Sequence, residues 1–190
     1  MTMVMVQLKK SQFGKNVIIE ENPVSRWLFS NTISAWIWLI LRVYIGYSWL
    51  TAGIGKVTSD AWTGANAGVA VKGFMGGALA KAEAGDVAGW YAWFLENVVI
   101  PNAVPFSYMV AWGEVLIGLG LIVGLLTGIA AFFGALMNMS FLLAGTVSAN
   151  PVMLAIAILL ILAWKVAGWY GLDRWVLPRL GTPWSTRKQK

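Results

Sequence analysis

The tract SYMVAWGEVLIGLGLIVGLLTG (107–128) carries one carboxylate, Glu114, well inside an otherwise apolar helix. A second apolar stretch, SAWIWLILRVYIGYSWLTAGIG (34–55), carries one guanidinium, Arg42, and is followed at once by Lys56. Ionisable groups are costly in lipid, so such residues mark a functional site by default. Measured from one membrane face at about 1.5 Å per residue, Arg42 falls roughly 12–14 Å deep, Glu114 about 18 Å and Asn138 about 15 Å. All three then lie near the middle of a hydrocarbon core about 30 Å thick. An Arg42–Glu114 pair there can be bidentate, with Asn138 taking up leftover hydrogen-bonding capacity. Lys56 either snorkels to the surface or turns back toward Glu114 and draws an anion from outside. Two readings of the charges stay open: an ion pair that only fixes helix register, or a site for an anion or for proton uptake.

The chain has no cysteine and no histidine. It cannot by itself build disulfides, iron–sulfur clusters, histidine-ligated haem or the usual zinc sites. No metal site is expected, and redox chemistry here needs a diffusible group such as a quinone or a partner subunit. Tyr44, Tyr47, Trp49 and Tyr108 are the rings that could stack on a quinone headgroup, although any one of them could equally face lipid or the core.

The elements that carry these residues are membrane helices. Hydrophobic residues make up 58% of the 190-residue chain and charged ones 12%, against roughly 45–50% and 25% in soluble domains. So few charges cannot cover a soluble protein. A span needs about 20 apolar residues, and four segments qualify: 34–55, 107–126, 128–147 and 151–170. The fold expected is a single all-α integral membrane domain, a four-transmembrane-helix bundle. Residues 1–33 and the basic tail 171–190 lie on one side, and the long loop 56–106 on the other. The second and third spans form a tight hairpin; Asn150-Pro151 is read as N-cap and first turn of the fourth, and Gly171 as its C-cap.

The net charge of +6 is concentrated in the ends, at Lys9, Lys10, Lys15 and Arg26, then Arg174, Arg179, Arg187, Lys188 and Lys190. Flanking basic residues mark the cytoplasmic side, so both termini are expected inside a plasma membrane, and nucleic acid is not an expected partner. No cleavable leader is expected, since the first strongly apolar run begins near residue 33. The loop alternates Ala-rich helical stretches with the aromatic block Trp90, Tyr91, Trp93 and Phe94. It reads as short amphipathic helices on the outer face of the bundle, either anchors with their rings at headgroup level or a lid that gates a substrate. Gly120, Gly124 and Gly128, then Ala130 and Gly134, are spaced for close helix approach. Arg42, Gly46, Trp49 and Gly53 share one face of the first span, expected to look inward. Asp173 is read as a helix-end interaction.

The segments LRVYIGYSWLTAGIGKV (41–57), WGEVLIGLGLIVGLLTG (112–128), MNMSFLLAG (137–145), SANP (148–151) and AGWYGLDRWVLP (167–178) together resemble the DoxX/DoxD family of small four-helix membrane proteins. The loop, with GFMGGALAKA and WYAWFLENVVIPN, is most similar to the DoxD type, the small membrane subunit of thiosulfate:quinone oxidoreductase. The resemblance implies oxidation of thiosulfate to tetrathionate outside the cytoplasmic face, with electrons passed to a membrane quinone and a partner membrane subunit or redox complex alongside. It implies site roles for Arg42, Lys56 and Glu114, the two cations holding a small anionic substrate or polarising a quinone oxygen and Glu114 relaying a proton. Tyr44, Trp49, Tyr108 and Asn138 are the candidate quinone contacts. With no thiol to carry a sulfur intermediate, thiosulfates must couple non-covalently or on a partner. Two other readings stand beside this one: a non-catalytic subunit of a redox assembly, and a small anion transporter.

Overall fold

The structure, a computed structural model, describes residues 21–181. Among these residues it is all-helical, without strands. A short helix α1 (Pro23–Ser30) starts under the side chain of Asn22, which accepts from the Val24 N–H. One 3₁₀ turn (Thr32–Ser34) leads into α2 (Ala35–Val57), whose inward stripe is the expected one: Arg42, Gly46, Trp49 and Gly53 are all buried.

α5 (Ala103–Val123) packs antiparallel along α2 at backbone contact distance. A Cβ on Gly53 would stand 2.6 Å from the Val115 nitrogen, and one on Gly118 would stand 2.5 Å from the Leu50 nitrogen. These two glycines, one on each helix, allow the approach; Gly118 carries no spacing that singles it out in the sequence. A turn at Gly124 (φ +66°) and Leu126 (φ +48°) reverses the chain into α6 (Thr127–Leu143), which packs on α7 (Asn150–Leu162). Packing between α5 and α6 is much sparser.

Two helical segments are long and apolar enough to cross a membrane, Thr32–Val57 and Ala103–Val123. The third and fourth apolar stretches make shorter helices. The third ends at Leu143, and the fourth breaks at Ala163 and resumes as α8 (Trp164–Ala167) before α9 (Asp173–Arg179). Asn150 is the first residue of α7 rather than its cap, and its amide donates to the Thr146 carbonyl because the chain arrives there from a turn. Gly171 caps no helix; it lies against Gly124, where a Cβ would meet main-chain atoms.

The loop 56–106 contains two helices, α3 (Val69–Glu83) and α4 (Gly89–Phe94), the latter running on through a π turn at Leu95–Val99. They are more than surface anchors. Val71, Ala78, Val87, Tyr91, Leu95 and Val99 close with Ala103 and Ala144 into a second small core over the α5 and α6 ends. Trp90 and Trp93 face outward, while Tyr91 turns in and donates to the Ser140 carbonyl at 2.8 Å. Burial pushes the Tyr91 phenol above its ordinary pKa, which keeps it a donor.

Candidate functional site

The charged residues form two centres rather than one. Arg42 and Lys56 are fourteen residues apart on α2, about 21 Å along the axis. Glu114 lies at the Lys56 end, because α2 and α5 run antiparallel with Gly53 against the Glu114–Val115 peptide. Of the two pairings the sequence allows for Glu114, the one with Arg42 is therefore not formed. Both residues do face inward, but neighbouring layers of an antiparallel pair meet only across, and these two are in different layers.

At the first centre, Lys56 Nζ stands 2.6 Å from Glu114 Oε2. The carboxylate side chain is 2% exposed and that of the lysine 22%, so the charge pair is sealed on the glutamate side and open on the lysine side. Lys56 also lies over the Trp62 ring, 5.2 Å from its centroid. That contact helps hold the ammonium toward Glu114. Of the two alternatives for Lys56, the inward one is realised.

One layer deeper, Trp49 of α2, Ile117 of α5 and Gly134 of α6 touch: a Cβ on Gly134 would stand 3.2 Å from Trp49 Nε1 and 3.4 Å from Ile117 Cγ2. Asn138 follows Gly134 by one helical turn, on the same buried face of α6 and level with Glu114. Its amide is fully buried, and neither its Nδ2 nor its Oδ1 has a hydrogen-bond partner among the described residues. The buried Trp49 Nε1 is likewise unpartnered. Unpaired buried polar atoms are expensive, about 1–3 kcal/mol each, and native proteins keep few of them without a reason.

The second centre, at the other end of α2, is a latch. Arg42 donates to the carbonyls of Leu121 (2.5 Å), Ile122 (2.8 Å) and Tyr170 (2.9 Å). A cation there complements the C-terminal dipole of α5. Asp173 does the converse at the start of α6, accepting from Leu126 N (2.6 Å) and Thr127 N (2.9 Å). The Asp173 and Leu172 N–H groups close the junction on Gly124 O and Val123 O. Sequence reading foresaw a helix-end role for Asp173 but not which end. The carboxylate caps a helix forty-six residues earlier in the chain, and no local pattern reveals that.

The candidate rings are dispersed. Tyr44 and Tyr47 are exposed on the side of α2 away from both centres. Tyr108 donates to the Thr63 carbonyl at 2.6 Å and so pins the loop to α5. Trp49 lies one layer deeper than the Lys56–Glu114 pair, and its ring neighbour is Phe141, 6.5 Å away between centroids. No group of acidic, histidine or cysteine side chains able to hold a metal ion occurs among the described residues.

An apolar groove of about 700 Å³ opens between α5 and α6 where they part, roofed by Phe74, Tyr91 and Phe94. Sequence reading missed it, since it arises from loose helix packing rather than from any residue type. When the chain is compared with known families, residues 37–189 match the sequence model described as TQO small subunit DoxD. No curated protein and no solved structure matches the chain.

Proposed function

The chain belongs to the DoxD family, and from that membership we propose that it is the small membrane subunit of a thiosulfate:quinone oxidoreductase. The overall reaction joins two thiosulfates through a new S–S bond to give tetrathionate. Each thiosulfate yields one electron, and the quinone takes up both electrons with two protons to become quinol. The observation that carries the reading is the Lys56–Glu114 pair: a buried carboxylate whose only described charged partner is a half-open lysine. Lys56 presents positive charge to an approaching anion. Glu114, released from the lysine as the anion binds, holds or passes a proton. Arg42 is a positioning residue, because three of its donors are already spent on main-chain carbonyls. With no cysteine in the chain, S–S coupling runs on the partner subunit or between non-covalently held anions.

In this reading the chain crosses a plasma membrane four times, with both termini inside and Lys56 at the outer end. Four crossings are supported by the apolar character of Thr127–Leu143 and Asn150–Leu162. At about 1.5 Å per residue, the seventeen-residue α6 reaches about 25 Å, and α7 with α8 slightly more. The test is thiosulfate-dependent reduction of a soluble quinone analogue by the purified complex. Glu114→Gln is expected to lower turnover about a hundredfold or more, in the range for a lost acid–base group. Unchanged turnover in an intact complex would instead make this chain a non-catalytic subunit.

A further inference from the structure

The geometry points to the α5–α6 groove and the orphan amide of Asn138 as the two halves of one quinone site, the groove taking the prenyl chain and Asn138 the ring oxygen. This rests on the quinone-linked reading above and gives it a location. The groove is lined along α5 from Phe106 to Val123, a length of about 25 Å. Its volume of about 700 Å³ is within the roughly 300–1,000 Å³ of small-molecule sites. Long and narrow, it suits an extended apolar chain better than a compact solute.

The groove itself offers no free hydroxyl donor to a quinone carbonyl. Tyr91 and Ser140 are its hydroxyl-bearing walls, and both protons are already donated, Tyr91 to the Ser140 carbonyl and Ser140 to the Leu136 carbonyl. The free polar atoms lie one residue behind its wall. Gly113 and Met137 line the groove, and their successors, Glu114 and Asn138, face the interior. Between groove and interior at this level stand a bare Cα and a thioether. A Cβ on Gly113 would touch only Met137 Sδ, at 3.6 Å. Methionine is the most easily re-packed of apolar side chains, so this partition can yield to a flat ring without moving backbone.

Behind it, Asn138 Nδ2 can donate to a quinone carbonyl and Oδ1 can accept from a quinol hydroxyl, while Trp49 Nε1 supplies a further donor. The ring would then lie in the layer of Glu114, the proton-bearing group of the proposed reaction. A buried water is the alternative partner for these atoms, and a phospholipid chain is the alternative occupant of the groove.

The test is photolabelling of the purified complex with a prenylated azidobenzoquinone, followed by peptide mapping and a binding isotherm. Label is expected within 113–120 and 129–141, suppressed by excess unlabelled quinone but not by phospholipid. Asn138→Leu is expected to weaken binding about tenfold while raising the melting temperature, since an unpaired amide is replaced by an apolar isostere. Gly113→Leu, whose side chain grows into the groove, is expected to abolish labelling there. Label in the groove that phospholipid suppresses, or quinone affinity unchanged in both variants, would overturn this site while leaving the quinone reading standing. Absence of any saturable quinone binding by the wild-type complex would overturn both.

Discussion

A lysine ammonium and a nearly sealed carboxylate 2.6 Å apart hold each other in place, because Glu114 alone would be left charged in an apolar bundle. Removing one partner of a buried pair typically costs about 3–5 kcal/mol. Lys56→Met and Glu114→Gln are therefore each expected to lower stability in detergent, Lys56→Met the more because it strands a charge. The double variant should recover part of the loss, so that the sum of the singles exceeds it by about 1 kcal/mol or more. A strictly additive double variant would mean the pair carries no coupling. The same cycle on Arg42→Gln and Glu114→Gln should be additive, as residues in separate layers are. That distinction was beyond the sequence. It displays three charges in apolar surroundings, but whether Glu114 meets Arg42 or Lys56 depends on the relative shift of two antiparallel helices. That shift is set by Gly53 seating on the Glu114–Val115 peptide.

Helices were the legible elements: the first three apolar stretches each form one, the fourth forms α7 and, past the break at Ala163, α8, and the inward stripe of α2 follows from its spacing alone. Their contacts were less so. The spacings of Gly120, Gly124 and Gly128, then Ala130 and Gly134, predict close helix approach, yet each of these glycines meets something different: Ala130, the Arg42 guanidinium, Trp164 and Trp49. The closest approach belongs to Gly53 and Gly118. Gly118→Val would drive its Cβ into the Leu50 backbone, and overpacking of this kind costs about 1–3 kcal/mol; Gly113→Ala, with ordinary space, should be near neutral. Thermal denaturation of the two variants side by side checks this. In the loop 56–106, Trp90 and Trp93 face outward while Tyr91, Leu95 and Val99 build a second core that roofs the groove. Tyr91→Phe removes a part-buried hydrogen bond, an expected loss of about 1 kcal/mol, seen as faster proteolysis within 84–102. At the opposite end, Asp173→Ala removes the acceptors of the Leu126 and Thr127 N–H groups and should loosen the α5–α6 turn by about 0.5–2 kcal/mol, the worth of a helix cap.

At the scale of the whole molecule, the two centres differ in setting: the Arg42–Asp173 latch ties the α5–α6 turn to the C-terminal segment, and the Lys56–Glu114 end is where the proposed chemistry would run. If both termini lie inside, a cysteine introduced at Ser59 should react with a membrane-impermeant maleimide added outside intact cells, and one at Ser30 only after permeabilisation. The chain lacks native cysteine, so no background labelling from it interferes. The family was legible only through combined motifs that resemble DoxD, because no single charged residue in a membrane helix specifies it. The most direct test of the account is the rate of thiosulfate-dependent quinone reduction by the assembled complex carrying Glu114→Gln, with assembly verified by co-purification. A fall of about a hundredfold or more, with the partner still bound, is what a proton-handling Glu114 requires. Turnover equal to that of the unmodified complex would contradict it, and would leave the Lys56–Glu114 pair as a structural tie between two helices.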